Sequence, residues 1–272
     1  MAKKSFAVLL CVYDGDSSSN FSDMLHSLLK SEIPDGYEMR IYLHVDGYIC
    51  DKKEKIIESH KIFKIIRTSK NIGLSKGLNK LIDAKEDELY FFRMDSDDLQ
   101  IEDRFIKQIS FMNENPIIDF SGGAITEFEG QPKNIIYRRE YPKDSYAIKQ
   151  HLVKGSPFAH VTMCFRSDFF IKFGKYPTDF PLNEDIAYWF KAIKLGAVGA
   201  NITDTLINVR MDSAYSRRTL IKAISEFKVY YSICKWQKRG FFYPIMRFSF
   251  RLLPASLVKK MYNSKLRNKL LV

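Results

Sequence analysis

The chain has little of what marks several large protein classes. Its four cysteines, Cys11, Cys50, Cys164 and Cys234, lie far apart, form no C-x-x-C pair and have no histidine at ligand spacing. That scarcity excludes a disulfide framework and a zinc ribbon and fits reduced thiols. No stretch approaches the roughly 20 consecutive apolar residues that a membrane-spanning helix needs. The apolar run at residues 6–13 is short and meets Asp14 and Asp16 with no small-residue cleavage site, so it reads as a buried strand, not a signal peptide. No G-x-G-x-x-G follows that strand, and no G-x-x-x-x-G-K-[ST] occurs anywhere. This argues against a dinucleotide site and a P-loop. Internal repeats and low-complexity linkers are also missing.

Acids are nearly absent from one end. Residues 213–272 hold 14 Lys or Arg against a single acid, Glu226, a net charge of +13. The other 212 residues carry 29 basic and 31 acidic side chains, a net −2. The basicity therefore belongs to the tail, and the slightly acidic body makes a poor nucleic-acid binder.

What is present is alternation. Residues 5–13, 39–46, 63–68 and 88–95 are near-continuous apolar runs. Segments 20–31, 52–59 and 74–84 between them space apolar residues helically. Strands apolar on both faces and linked by helices predict a doubly wound, mostly parallel α/β sheet. Ligands bind such sheets beyond the carboxyl ends of the strands. The residues there are Asp14, Asp46 with Gly47, Asn71 to Gly73, and Asp95 to Asp98, so four strands bring polar groups to one rim. Further on, a helix is predicted to end before Pro116, strands at 160–166 and 204–211, and an Asn-capped helix at 183–197 with acids in its first turn. From Arg217 the chain reads as helices broken near Gly240 and Pro254.

Asp95, Asp97 and Asp98 crowd into four positions. Carboxylates so close repel, and hard oxygens on a tight turn suit Mg²⁺ or Mn²⁺, which usually takes its remaining ligands from water and substrate phosphates. The alternative is a solvated loop in which Asp97 or Asp98 caps a helix beginning near Ile101.

The stretches VLLCVYDGD, HVDG, NIGLSKGLN, RMDSDDL…DRF, HVTMCFR, NEDIAYWFKAIKLG and INVRMDSAYSRR stand in an order that resembles inverting family 2 glycosyltransferases of the GT-A fold. The likeness covers about residues 5–220 and is greatest to bacterial enzymes of O-antigen, capsule and exopolysaccharide synthesis. It implies a nucleotide-diphospho-sugar donor, and by the family's habits a UDP-sugar. By the resemblance, Val12 and Tyr13 would line the nucleoside pocket and Asp46 would accept from the base. Asp95 and Asp97 would hold Mn²⁺ or Mg²⁺, Ser96 would join the donor contacts, and Asp98 would support the turn or the donor sugar. Asp185 would be the general base, with Glu184 beside it. Some relatives carry Arg where this chain has Leu78, which leaves Lys76 as the candidate diphosphate contact from that turn.

The chemistry stands without the name. A divalent ion stabilises charge on a departing nucleoside diphosphate, a carboxylate takes the acceptor hydroxyl's proton, and one in-line displacement inverts the anomeric centre. Asp185 could instead only stabilise the first turn of its helix. By the resemblance His160 would lie near the acceptor or diphosphate; otherwise it is a structural group. Tyr188 and Trp189 stack on acceptor sugar or pack in the core. Arg217 and Arg218 close over the diphosphate, or simply belong to the basic tail.

These readings divide the chain into a catalytic domain at 1–212, with nucleotide-sugar binding at 1–100 and the acceptor side at 101–212, and a basic amphipathic helical tail at 213–272. Residues 235–272 mix basic, aromatic and aliphatic residues without an acid, which suits an anionic membrane surface. The expectation is a cytoplasmic protein, peripheral on the inner face of the membrane, where a polyprenyl-diphosphate-linked oligosaccharide acceptor would sit. The alternative is a tail packed on the domain. Two other functions compete: a nucleotidyltransferase or sugar-phosphate pyrophosphorylase, which would need a glycine-rich basic signature after the first strand, and a non-catalytic membrane-surface scaffold.

Overall fold

Strands and helices alternate strictly at the start of the computed structural model, which describes residues 3–212 and 219–253. β1 (Lys4–Val12), α1 (Ser18–Leu29), β2 (Tyr37–Asp46), α2 (Asp51–Glu58), β3 (Lys64–Thr68), α3 (Leu74–Asp83) and β4 (Tyr90–Arg93) come in turn. The second half adds β5 (Leu99–Gln100), α4 (Arg104–Glu114), β6 (Phe120–Phe128), β7 (Ile135–Arg139), α5 (Ser145–His151), β8 (Cys164–Arg166), α6 (Phe169–Phe173), α7 (Glu184–Lys194) and β9 (Gly199–Arg210). Helices α8 (Leu220–Trp236) and α9 (Phe242–Leu252) follow.

All nine strands join one sheet in the order β3-β2-β1-β4-β8-β6-β9-β5, with β7 paired to β6. The first four strands are parallel throughout, and parallel pairing returns between β6 and β9. The short β8 pairs antiparallel with both β4 and β6, and so joins the two halves.

Both faces are covered, which is why β1 reads as an unbroken apolar run. Phe6, Val8, Leu10 and Val12 enter a core closed by α1, α2 and α4. Ala7 and Leu9 enter a second core with α3, α6, α7 and α8.

Four local expectations are corrected. Residues 160–166 do not form one strand: His160–Thr162 is a 3-10 turn and only Cys164–Arg166 pairs. Thr162 N donates to Ala159 O at 3.0 Å and closes the turn, while Gln108 Nε2 takes Thr162 O at 2.9 Å; pairing with β4 starts only at Met163, whose O accepts from Arg93 N at 2.9 Å. Residues near Ile101 do not start a helix, because Leu99 and Gln100 pair with β9 and α4 begins at Arg104. Asn183 occupies the cap position of α7 without capping it; its side-chain amide donates to Lys222 O at 3.0 Å. Tyr188 and Trp189 are both fully buried, so neither can stack on an acceptor.

The described part of the basic segment packs on the body. Val229, Tyr230, Ile233 and Cys234 of α8 belong to the second core. Among the described residues no helix is long and apolar enough to cross a membrane.

Candidate active site

Each rim turn is held by a polar contact that its sequence makes possible. Asp46, at the end of β2, accepts from Ile72 N at 2.7 Å, Gly73 N at 3.0 Å and Thr68 Oγ1 at 3.3 Å. One carboxylate thus fixes the turn after β3, where Gly73 has φ +87°, a conformation glycine adopts without strain. Carboxylate oxygens carry two acceptor positions each, so Asp46 retains capacity for a further donor. At the end of β1, Val12 is buried and Tyr13 is half-exposed. Asp16 accepts from Tyr13 N at 3.1 Å and from Ser96 Oγ at 2.8 Å, and so joins the β1 loop to the aspartate turn. Burial pushes the Asp16 carboxyl up, against those hydrogen bonds.

The aspartate turn follows β4 directly. Arg93, fully buried, pairs with Asp95 and donates to Leu9 O at 3.3 Å. Beneath it Arg104 Nη2 donates to Arg93 O at 3.0 Å, so the DRF arginine braces the strand that carries the aspartates. Asp98 is buried and does not cap a helix: its Oδ1 accepts from Arg210 N at 2.9 Å. Its carboxyl is held well above the usual range, first by burial and then by the charges of Asp95 and Asp97. These three aspartates therefore concentrate negative charge that a hard divalent cation would relieve, and the donor set fits such an ion. Among the described residues no group of three or more His, Cys, Asp or Glu is arranged for a metal.

The acceptor side arrives with α7. Burial raises the Asp185 carboxyl, and the charge of Asp95 adds to that rise, while a backbone hydrogen bond from Ile186 and the charge of Lys222 lower it. Glu184 is raised by burial and by neighbouring Asp185. His160 bonds the Tyr176 hydroxyl through Nε2 at 2.9 Å. Burial, aided by the Arg93 charge, pushes its imidazole down to about 3, so it is neutral across ordinary pH. Tyr176 is tied in turn to α3: Asn79 Nδ2 donates to Tyr176 O at 2.9 Å and Asn79 Oδ1 accepts from Tyr176 N at 2.9 Å. The conspicuous Asn of NIGLSKGLN thus clamps the two halves of the site together.

The fold gathers Tyr13, Asp46, Asp95, Ser96, Asp98, His160, Glu184 and Asp185 at or behind one rim, with Asp97 within the same turn. Lys76 stands exposed on the first turn of α3. Arg217 and Arg218 lie outside the described residues. Sequence reasoning passed over Arg93, Asp16, Tyr176 and Arg210. A lone arginine ending the apolar run YFFR was the visible signal for the first, and Asp16 was a visible polar residue just past β1. Nothing local marked Tyr176.

The model of the family described as glycosyl transferase family 2 matches residues 7–174. An uncharacterized glycosyltransferase of Haemophilus influenzae is 30% identical over 274 residues, spanning 96% of this chain and 99% of its own. A UDP-Gal:alpha-D-GlcNAc-diphosphoundecaprenol beta-1,3-galactosyltransferase of Escherichia coli is 28% identical over 272 residues, 96% of either chain. Among solved structures, S. aureus TarS 1-349 in complex with UDP-GlcNAc shares the fold with a TM-score of 0.65 at 15% identity, over 97% of this chain and 77% of that one. With its GT-A architecture and its rim of carboxylates, the chain belongs to glycosyl transferase family 2 and is a nucleotide-sugar-dependent glycosyltransferase.

Proposed function

We propose that this enzyme moves a sugar from a UDP-sugar to a hydroxyl of a polyprenyl-diphosphate-linked glycan, by a single displacement that inverts the anomeric centre. The observation that carries the reading is the placement of the carboxylates: Asp95 on the turn after β4, held by Arg93, and Asp185 in the first turn of α7, close enough to feel its charge. A donor placed between them meets a phosphate-side carboxylate turn on one flank and a raised carboxylate on the other. Similarity to the diphosphoundecaprenol-dependent galactosyltransferase supports the acceptor class, and the UDP-GlcNAc complex of the TarS fold supports the donor class.

In this reading Tyr13 and Asp46 frame the nucleoside, and Asp46 does so through the Asn71–Gly73 turn that it fixes. Asp95 and Asp97 would hold Mn²⁺ or Mg²⁺, which when bound stabilises the charge on the departing diphosphate. Asp98 and Ser96 keep that turn in place from below. Asp185 takes the proton of the attacking hydroxyl, and its raised pKa makes it a better base than an ordinary aspartate. Glu184 supports it. Lys76, Arg217 and Arg218 would contact the diphosphate. Residues 1–212 make the catalytic domain, with the donor bound by 1–100 and the acceptor by 101–212. The tail, 213–272, would meet the anionic inner face of the cytoplasmic membrane, where a lipid-linked acceptor is presented.

The test is turnover of a panel of nucleotide sugars with Mn²⁺, Mg²⁺ or EDTA, for the wild type and Asp97→Ala. Metal-dependent turnover of a UDP-sugar that is abolished in Asp97→Ala is the result expected. Equal turnover in EDTA would overturn the metal, and a preference for another nucleotide would overturn the donor.

A further inference from the structure

Helix α9 turns its charges inward. Arg247 Nη1 and Arg251 Nε donate to the two oxygens of the buried Glu226 carboxylate at 3.1 and 2.6 Å. The Arg247 guanidinium lies over the Tyr230 ring, 4.0 Å from its centroid. A sequence that reads as a basic amphipathic helix therefore shows solvent an uncharged stripe. Phe242, Ile245, Met246 and Leu252 are 71%, 56%, 47% and 55% exposed, with Ser249 between them. Adjacent large apolar residues left in water usually mark an interaction surface.

Beside the stripe, at the α8–α9 turn, lies a cavity of about 300 Å³ lined by Lys149, Gln150, Trp236, Gln237, Lys238 and Arg239. It holds three cations and no acid. Its wall is braced: Gln237 Nε2 donates to Lys149 O at 2.5 Å, Arg239 Nη2 donates to Gln150 Oε1 at 3.2 Å, and Lys149 Nζ sits 5.0 Å from the centroid of the Trp236 ring. Lys238 has φ 55°, at a helix ending where Arg239 N donates to Cys234 O at 2.8 Å. Glycine favours that position, yet a lysine fills it. The nearby helix ends account for some attraction of cations. They do not account for the bare apolar stripe alongside.

We propose that this surface docks on an anionic bilayer, with the α9 stripe entering the acyl boundary and the Lys149–Lys238–Arg239 cavity taking a lipid phosphate. The inference rests on the lipid-linked-acceptor reading and deepens it. Charge complementarity selects the occupant: phosphate is the natural partner of clustered Lys and Arg, and an amphipathic helix lies in the interface with its apolar face down. A second copy of the chain paired through the same face would set three cations against three more. Helix α8 spans about 25 Å, from the Asn183–Lys222 contact behind the catalytic carboxylates to the docking cavity, so binding would also orient the active site.

The experiment is co-sedimentation of the full chain with vesicles of phosphatidylglycerol in phosphatidylcholine, and of phosphatidylcholine alone, with and without inorganic phosphate. Wild type should bind the anionic vesicles, and free phosphate should compete only weakly. The double variant Phe242→Asp/Ile245→Asp and the double variant Lys238→Glu/Arg239→Glu should each bind roughly tenfold or more weakly. Lys238→Gly separates docking from folding: it should melt higher than wild type yet bind vesicles more weakly, a combination that a merely structural lysine does not give. Vesicle affinity unchanged in all three variants would overturn the proposal. So would a concentration-dependent dimer that Phe242→Asp abolishes, which would assign the face to a second copy. Donor turnover without vesicles is measured alongside; if wild type turns over no nucleotide sugar, the proposed function fails while the docking result stands or falls on the vesicle data.

Discussion

The backbone N–H of Arg210 donates to Asp98 Oδ1 at 2.9 Å, and the Arg210 Nε to Asp97 O at 3.1 Å. The end of β9 thereby grips the aspartate turn from 112 residues away. Arg210 also lies over Phe128, 4.8 Å from its ring centroid, and donates to Gly130 O at 3.3 Å. One arginine joins β9, the β6–β7 turn and the aspartates, so the late INVRMD stretch is part of the same site as RMDSDDL.

Asp98 carries a pH signature. Its folded-state pKa lies above the ordinary value, so the folded chain binds the extra proton. Its contribution is most favourable at low pH and is lost as pH rises from about 4 through the raised value. Asp98→Asn removes that dependence and keeps an acceptor for Arg210. Without metal, urea melts should find the variant more stable than wild type near neutral pH, a difference that shrinks toward pH 4. Parallel pH slopes in the two proteins would contradict this.

Asp185→Asn should lower kcat by about 10²- to 10⁴-fold with little change in the donor KM. Glu184→Gln should cost less. Because burial raises the Asp185 carboxyl, the acid limb of the wild-type kcat profile should fall at a higher pH than an ordinary aspartate would give, the rate dropping as the base gains its proton. Steady-state kinetics across pH decide this.

Asn79→Ala removes both hydrogen bonds to the Tyr176 backbone. Denaturation should register a loss of about 1–3 kcal/mol. Because Tyr176 holds His160, kcat/KM should also fall, while Asn79→Asp, which keeps the acceptor, should recover part of it.

Gly77→Ala tests the packing beneath α3. A methyl group there would meet the buried His44 ring. The substitution should destabilise by about 1–3 kcal/mol. In the background of His44→Ala the penalty should largely vanish, and a double-mutant cycle from urea melts reads the coupling. Strict additivity would show that the clash is not with His44.

Local pattern determined much of this protein. The apolar runs and helical spacings specified the alternating half through β4, because a strand buried on both faces reads as a near-continuous apolar run. The same logic placed Asp46 and the Asp95–Asp98 turn on one rim, since polar residues just past such strands can only emerge at their carboxyl ends. Residues 160–166 read as one strand but form a turn as far as Thr162, whose carbonyl is taken by Gln108, a reach across the fold that has no signature at the site itself. The tertiary structure alone decided that Asn79 meets Tyr176, that Arg210 closes the aspartate turn and that the arginines of α9 face Glu226. Each is a contact between residues distant along the chain, chosen by where packed elements leave a buried polar group in need of a partner.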